Sequence, residues 1–404
     1  MSNYDGDDWS DNSGSGEFSE TTSRSWFQRI GDSIKGMLFG FLLVIVSGGM
    51  LFWNEGRAAK TAAALTEGAG VVQSVPNNAV SPANNGKLIH VSGDTSATSP
   101  ATDNEIGFSQ KGLKLSRKVE MFQWKEIKES KTRDKLGGGQ ETVTTYRYTK
   151  DWSDRAIDSS RFRRSNGHQN PSFPSTRSRS FPVTDAKLGA FRLDPALISG
   201  LGDGERVDVP DSLKDAVVNK FGDKAKVQSG TIYVGNNPSS ASVGDIRITY
   251  SLLPLQPISV VAKQTNGGFS PYTASNGRSI LLSTTGTKDA AAMFKSAQDA
   301  NTMLTWGLRV LGIVLMFAGF SMILGPISVF ASVIPLLGNI AGFGTSLIAM
   351  LATAITAPVI IAIAWFFYRP LVSIIVLAVG VAIFVGIKYL GKQRAAGNAP
   401  ARAG

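Results

Sequence analysis

Residues 36–53 read GMLFGFLLVIVSGGMLFW, eighteen consecutive positions without a charge. At about 1.5 Å per residue a helix of that length just crosses the roughly 30 Å hydrocarbon core of a bilayer, which sets the chain among membrane proteins. A cleaved secretory leader is the rival reading. The run begins only after 35 residues of acidic sequence, and bulky Phe52 and Trp53 stand where small residues would precede a cleavage site, so an uncleaved anchor fits better. Three more apolar stretches follow at 307–324, 340–367 and 371–387, separated by Gly325-Pro326, Gly338-Asn339 and Tyr368-Arg369-Pro370. The expected fold is therefore a multi-pass α-helical membrane protein of four spans. A large β-rich α+β exoplasmic domain, residues 54–306, separates spans one and two. Residues 1–35 are expected to be a disordered acidic tail, 325–339 an interfacial or re-entrant segment and 388–404 a basic tail.

The 404 residues carry a net charge of +10, and a pI near 9.6 invites a nucleic-acid reading. The distribution speaks against it: 1–35 is −4, 54–306 is +8, and 307–404 is +6 without a single acid. No nucleic-acid partner is expected. The chain has no cysteine, which excludes a disulfide framework, a thiol nucleophile and thiolate metal sites, and only two histidines, His90 and His168. It contains no phosphate-binding loop, zinc-protease helix or nucleophile elbow, so neither an enzyme nor a cofactor is expected. Four spans place both termini on one side. Six Lys/Arg flank that side and four the other, which favours cytoplasmic termini, since long loops translocate largely regardless of charge.

That topology gathers Trp53, Glu55, Arg57, Trp306, Arg309, Trp365, Tyr368 and Arg369 at one membrane face, an aromatic belt with embedded charges. Two arrangements are open for the charges. Each arginine snorkels to the headgroups by itself, or Glu55 pairs with Arg309 or Arg369 and staples the helices. Small residues at 342, 344, 346, 349, 353 and 357 would let helices approach closely, with Pro358 as a kink.

In the middle domain the β signals dominate, as in KLSRKVEMFQWKEIKES and ETVTTYRYTKDW around Gly137-Gly138-Gly139, a long hairpin with Val119, Met121 and Gln123 on one face. Asn266-Gly267 marks a second hairpin turn, and helices are expected at 194–200, 211–221 and 288–306, the last running into span two. A candidate partner surface comprises Trp124, Arg161, Arg163, Arg164, His168, Arg177 and Arg179, with Phe162, Phe173 and Phe181 interleaved. A solvated basic face is the ordinary account of the arginines, and for His168 a turn built by Asn166-Gly167 outweighs a role as base or ligand.

Six collinear blocks carry a family resemblance: FWNEGRA at 52–58, VEMFQWKE at 119–126, GHQNP at 167–171, VGDIR at 243–247, TWGLR at 305–309 and WFFYRPL at 365–371. The chain resembles the transmembrane protein 43 family, also called LUMA, from about residue 36 to 390. The resemblance implies a four-span protein of the endoplasmic reticulum and nuclear inner membrane, self-associating, without enzymatic activity, and in animals tied to nuclear-envelope organisation through lamins and emerin. The missing cysteines, and the proline that blocks both Asn-x-Ser sequons, suggest a bacterial member with a periplasmic domain. The function expected is a non-enzymatic membrane scaffold that contacts lipid, exoplasmic or membrane proteins and its own copies. A transport or channel subunit and a membrane-stress sensor are the alternatives.

Overall fold

A computed structural model describes residues 10–12, 17–333, 335–371, 373–375 and 378. The chain divides into two compact units, one of residues 1–23, 64–133 and 140–297, the other of residues 24–63, 134–139 and 298–404.

The first unit is built on two large β sheets and two two-stranded ribbons. Its larger sheet runs from a short edge strand at Ser10–Asn12 through β1 (Glu17–Arg24), β4 (Gln140–Ser153), β3 (Lys114–Asp134), β9 (Ile246–Leu253) and β8 (Thr231–Val234) to β7 (Ala225–Gln228), with β5 (Arg179–Pro182) on β3 and β6 (Glu205–Val207) on β9. The smaller sheet centres on β10 (Ile258–Thr265), flanked by β2 (Leu88–Gly93), β11 (Gly268–Ser270) and β12 (Leu282–Thr285). Period-2 alternation puts Leu115 and Val119 of β3, Ile248 and Tyr250 of β9, and Ile89, Val91, Ile258 and Val260 of the smaller sheet into one buried cluster. The opposite face of the smaller sheet, Leu88 and Val261, is covered by Ala64 and Leu65 near the end of α1 (Trp26–Val71) and by Met293 and Phe294 at the start of α4 (Ala290–Ala331). Gly68 is needed there, because a Cβ on it would lie 2.6 Å from Ile280 Cδ1.

Local signals read from sequence explain several elements. Asp194 caps α2 (Pro195–Ser199) by accepting from the Ala196 amide, with proline in the first turn. The 211–221 signal becomes one 3-10 turn followed by α3 (Lys214–Phe221). Asn266 and Gly267 both take positive φ, 47° and 77°, as a type I′ turn between β10 and β11 demands.

Among the described residues, the second unit holds three helices long and apolar enough to cross a membrane: α1, α4 and residues 340–368 of α5 (Pro335–Tyr368). The expected fourth span at 371–387 and the tail at 388–404 lie almost wholly outside the described residues. Helix α1 meets α4 closely, since a Cβ on Gly40 would sit 2.7 Å from the Gly319 carbonyl and one on Gly312 2.6 Å from Leu51 Cδ2. Of the small positions singled out in α5, Ala349, Thr353 and Ala357 are buried, whereas Gly342 and Gly344 have open space around them.

Two expectations are corrected. Residues 17–24 form a strand and α1 begins at Trp26, where a disordered tail through residue 35 was expected. Edge pairing on β4 supplies the backbone partners that composition alone did not announce. The segment 325–339 is not a separate interfacial element. Helix α4 continues through Pro326 to residue 331, the Ser328 hydroxyl donating to the Gly325 carbonyl at 2.9 Å, a turn follows at 332–333, and α5 opens at Pro335. The glycines that bring α1 and α4 together, 40, 312 and 319, were not among the small residues singled out from sequence.

Candidate interfacial site

The Glu55 carboxylate, 1% exposed, receives Arg309 through both oxygens, Nε at 2.6 Å and a terminal nitrogen at 2.8 Å. Trp365 Nε1 donates to Oε2 at 2.8 Å, so one acid ties α1, α4 and α5 together. The planar guanidinium is suited to this fork, and the Trp306 ring lies 4.7 Å beneath it. Arg309, rather than Arg369, is the residue that closes on Glu55.

One turn away, a second set of polar contacts continues the seam. Asn54 Nδ2 donates to the Thr305 carbonyl at 3.0 Å, Asn301 Nδ2 to the Ala58 carbonyl at 3.1 Å, and Arg57 reaches Asn301 Oδ1 at 2.9 Å and Thr305 Oγ1 at 2.9 Å. The sequence reading missed Asn54, Asn301 and Thr305. A signal was present, since residues 301, 305 and 309 recur at i, i+4 and i+8 and share one face of a helix. Of the remaining predicted members, Trp53 and Trp306 point outward at 58% and 60% exposure. Tyr368 packs over Gly56, where a Cβ would meet its ring at 2.6 Å, and Arg369 continues the helix backbone by donating to the Trp365 carbonyl at 2.7 Å.

The candidate partner surface separates into two groups in the β unit. Trp124, His168 and Arg164 converge on Tyr148: His168 stacks on that ring at 3.9 Å and meets Trp124 edge-on at 4.7 Å, while the Tyr148 hydroxyl accepts from the Arg164 amide and donates to Glu126. Burial and the Glu126 carboxylate push this phenol up to about 12. Asn170 holds Trp124 like a strand neighbour, accepting from its amide at 2.7 Å and donating to its carbonyl at 3.0 Å. Arg163 pairs with Glu20 and Arg164 covers Phe18 at 4.0 Å, both partners coming from β1. Arg161 instead pairs with neighbouring Asp158 in the open, and Arg177 and Arg179 lie over Phe173 and Phe181 in the other group. His168 is thus held in place by stacking and by Nδ1 at 3.1 Å from the Arg164 carbonyl.

The family model for transmembrane protein 43 matches residues 121–370, the part of the chain that carries most of the hairpin, Arg309 and Trp365 of the Glu55 partner set and all of α4 and α5. The chain belongs to the transmembrane protein 43 family. Among curated relatives, mouse transmembrane protein 43 is 31% identical over 86% of this chain and 88% of its own. The human protein is 30% identical over 88% and 90%, and a fly homolog 28% identical over 86% and 93%. No solved structure matches the chain. These relatives are animal proteins, and they give no support to the bacterial placement drawn from the missing cysteines. Membership and the three apolar helices together make this an integral membrane protein.

Proposed function

We propose that this family member is a non-enzymatic membrane scaffold whose helices fix a β-rich exoplasmic domain at the membrane surface, where it gathers protein partners and further copies of itself. The observation that carries the reading is how Glu55 is used: its carboxylate is spent on Arg309 and Trp365, locking three helices rather than facing a pathway or a substrate. A charge paired in this way rigidifies the membrane part, which is what a platform requires. The titratable side chains of the Trp124 surface are likewise closed on one another, His168 on Tyr148 and Arg163 on Glu20. The resemblance adds a location in the endoplasmic reticulum or nuclear inner membrane for a eukaryotic chain. Crosslinking in native membranes followed by identification of the copurifying proteins tests the proposal. Reproducible partner proteins are expected, and recovery of the chain by itself would overturn the scaffold reading and leave only self-assembly.

A further inference from the structure

Four strands of the larger sheet lie side by side in the order β5, β3, β9 and β6, and their register aligns Ser180, Ser116, Ser251 and Arg206 in one row. Residues directly opposed across antiparallel strands share a face. Here that face is the one away from the core, since the alternating positions Leu115 and Tyr250 are buried in the apolar cluster. The next row, two residues along, sets Lys118 opposite Thr249. Hydroxyl side chains this short stand low on a sheet, and between longer neighbours they leave a cleft of about 680 Å³, which Asp154, Arg179 and Asp203 also line. Its size is that of a small-ligand site, about 300–1,000 Å³.

The lining groups differ in how far the protein itself engages them. Ser116 bonds Ser180 at 3.0 Å and donates to Asp203 at 3.0 Å, and Asp203 in turn meets Lys114 Nζ at 3.2 Å. Lys118 is paired with Glu120 at 2.8 Å, and Arg206 donates to the Ser229 carbonyl and the Thr231 hydroxyl. Among the described residues, the Asp154 carboxylate, the Arg179 guanidinium and the hydroxyls of Thr249 and Ser251 make no hydrogen bond or ion pair within the chain. These four groups define the complementary ligand. A carboxylate only accepts, a guanidinium only donates, and a hydroxyl does both. An anion would be drawn to Arg179 and repelled by Asp154, and a cation the reverse. A neutral molecule dense in hydroxyls satisfies all four, because each of its OH groups can donate to the acid or accept from the base.

We propose that this cleft is a saccharide site, holding neutral sugar rings by their hydroxyls. The site stands whether or not the domain also gathers protein partners. Saturation-transfer NMR on the full chain in nanodiscs, with neutral trisaccharides of mannose, glucose and galactose, measures binding of a free sugar. Flotation with liposomes bearing galactosylceramide, against plain phosphatidylcholine liposomes, measures binding of the same chemistry as a lipid headgroup. At least one of these saccharides should bind in one of the two presentations. Asp154→Ala and Arg179→Ala, both at exposed positions without hydrogen-bonded partners, should each weaken that binding about tenfold, the scale of a hydrogen bond to a charged group. An anion site would instead respond with opposite signs, weaker without Arg179 and tighter without Asp154. No binding of any of these saccharides, opposite responses of the two variants, or unchanged binding in either of them would overturn the proposal.

Discussion

Two arginines closed on acids, one in each unit, show how differently the same ion pair is built. In the β unit Arg117 is 4% exposed and meets Asp103 at 2.6 Å, Glu105 at 2.7 Å and the Arg177 carbonyl at 3.0 Å, while Tyr250 donates to Asp103 at 2.7 Å and the Glu105 amide to its other oxygen at 3.0 Å. Two acids and several neutral partners surround one cation. In the helical unit Arg309 has one acid, closed by two oxygens and an indole. A β sandwich offers loop carbonyls and amides that can converge on a charge, whereas helices in a membrane have spent their backbone groups internally and leave only side chains to do so. Hydrogen-bond satisfaction is distributed in the first case and concentrated in the second.

The largest expected effect breaks the distributed site at its centre. Replacing Asp103 by Ala removes the acceptor of both Arg117 and Tyr250, each deeply buried, and should cost about 3–5 kcal/mol, the range for stripping one partner from a buried pair. Chemical unfolding followed through the aromatic signal of the β unit measures it. A loss below about 1 kcal/mol would mean that Glu105 alone suffices for Arg117.

Glu55→Gln sharpens the contrast from the other side. The amide oxygen still accepts one hydrogen bond, but the bidentate charge is lost, and helix association should weaken by about 2 kcal/mol, the scale of a hydrogen bond to a charged group. The melting temperature of the purified protein in detergent reports this. An unchanged value would show that Arg309 finds the detergent interface unaided, the independent snorkelling that the sequence also permits.

Gly319→Ala tests the apolar half of the same helical seam. A methyl there falls 2.8 Å from Val44 Cγ2 and 3.0 Å from the Gly40 carbonyl, so α1 and α4 must part slightly, at a cost of about 1–2 kcal/mol. Gly342→Ala, with nothing near it, serves as the control and should be silent.

These contrasts also explain what could be read in advance. The apolar runs, the hairpin and the Asp194 cap were legible because each follows from local pattern: hydropathy, period-2 alternation, and an acid two residues before the amide it accepts from. Glu55 and Arg309 were legible as candidates because few charges stand near apolar runs, so the acid had few partners to choose from. Asp103 and Arg117 were not, because they lie in ordinary soluble sequence where every acid and base competes, and only the register of β3 against β9 sets Arg117 beside Tyr250. The seat of β1 was hidden for a similar reason. Its acidic, serine-rich composition resembles a disordered tail, and the Tyr146 ring and arginines that order it lie more than a hundred residues away.

The smallest expected effect uses acid to unload the distributed site without mutation. The Thr176 hydroxyl, 2.6 Å from Glu105, and then Arg117 and Lys220 hold this carboxyl well below the usual range, at about 2. A carboxyl depressed in the folded state stabilises it fully above the unfolded value near 4.5, and that contribution fades as pH falls from there toward 2. Because Glu105 is one-third exposed, solvent screens the contribution to about 1 kcal/mol. Stability of the β unit should therefore decline over that acid window in the parent chain, and Glu105→Gln should flatten part of the slope while lowering stability at neutral pH by a similar amount. If the slope is unaffected, Glu105 is an ornament on the Asp103–Arg117 pair, and the distributed site draws its strength from the two groups buried at its centre, as the concentrated site in the helices does.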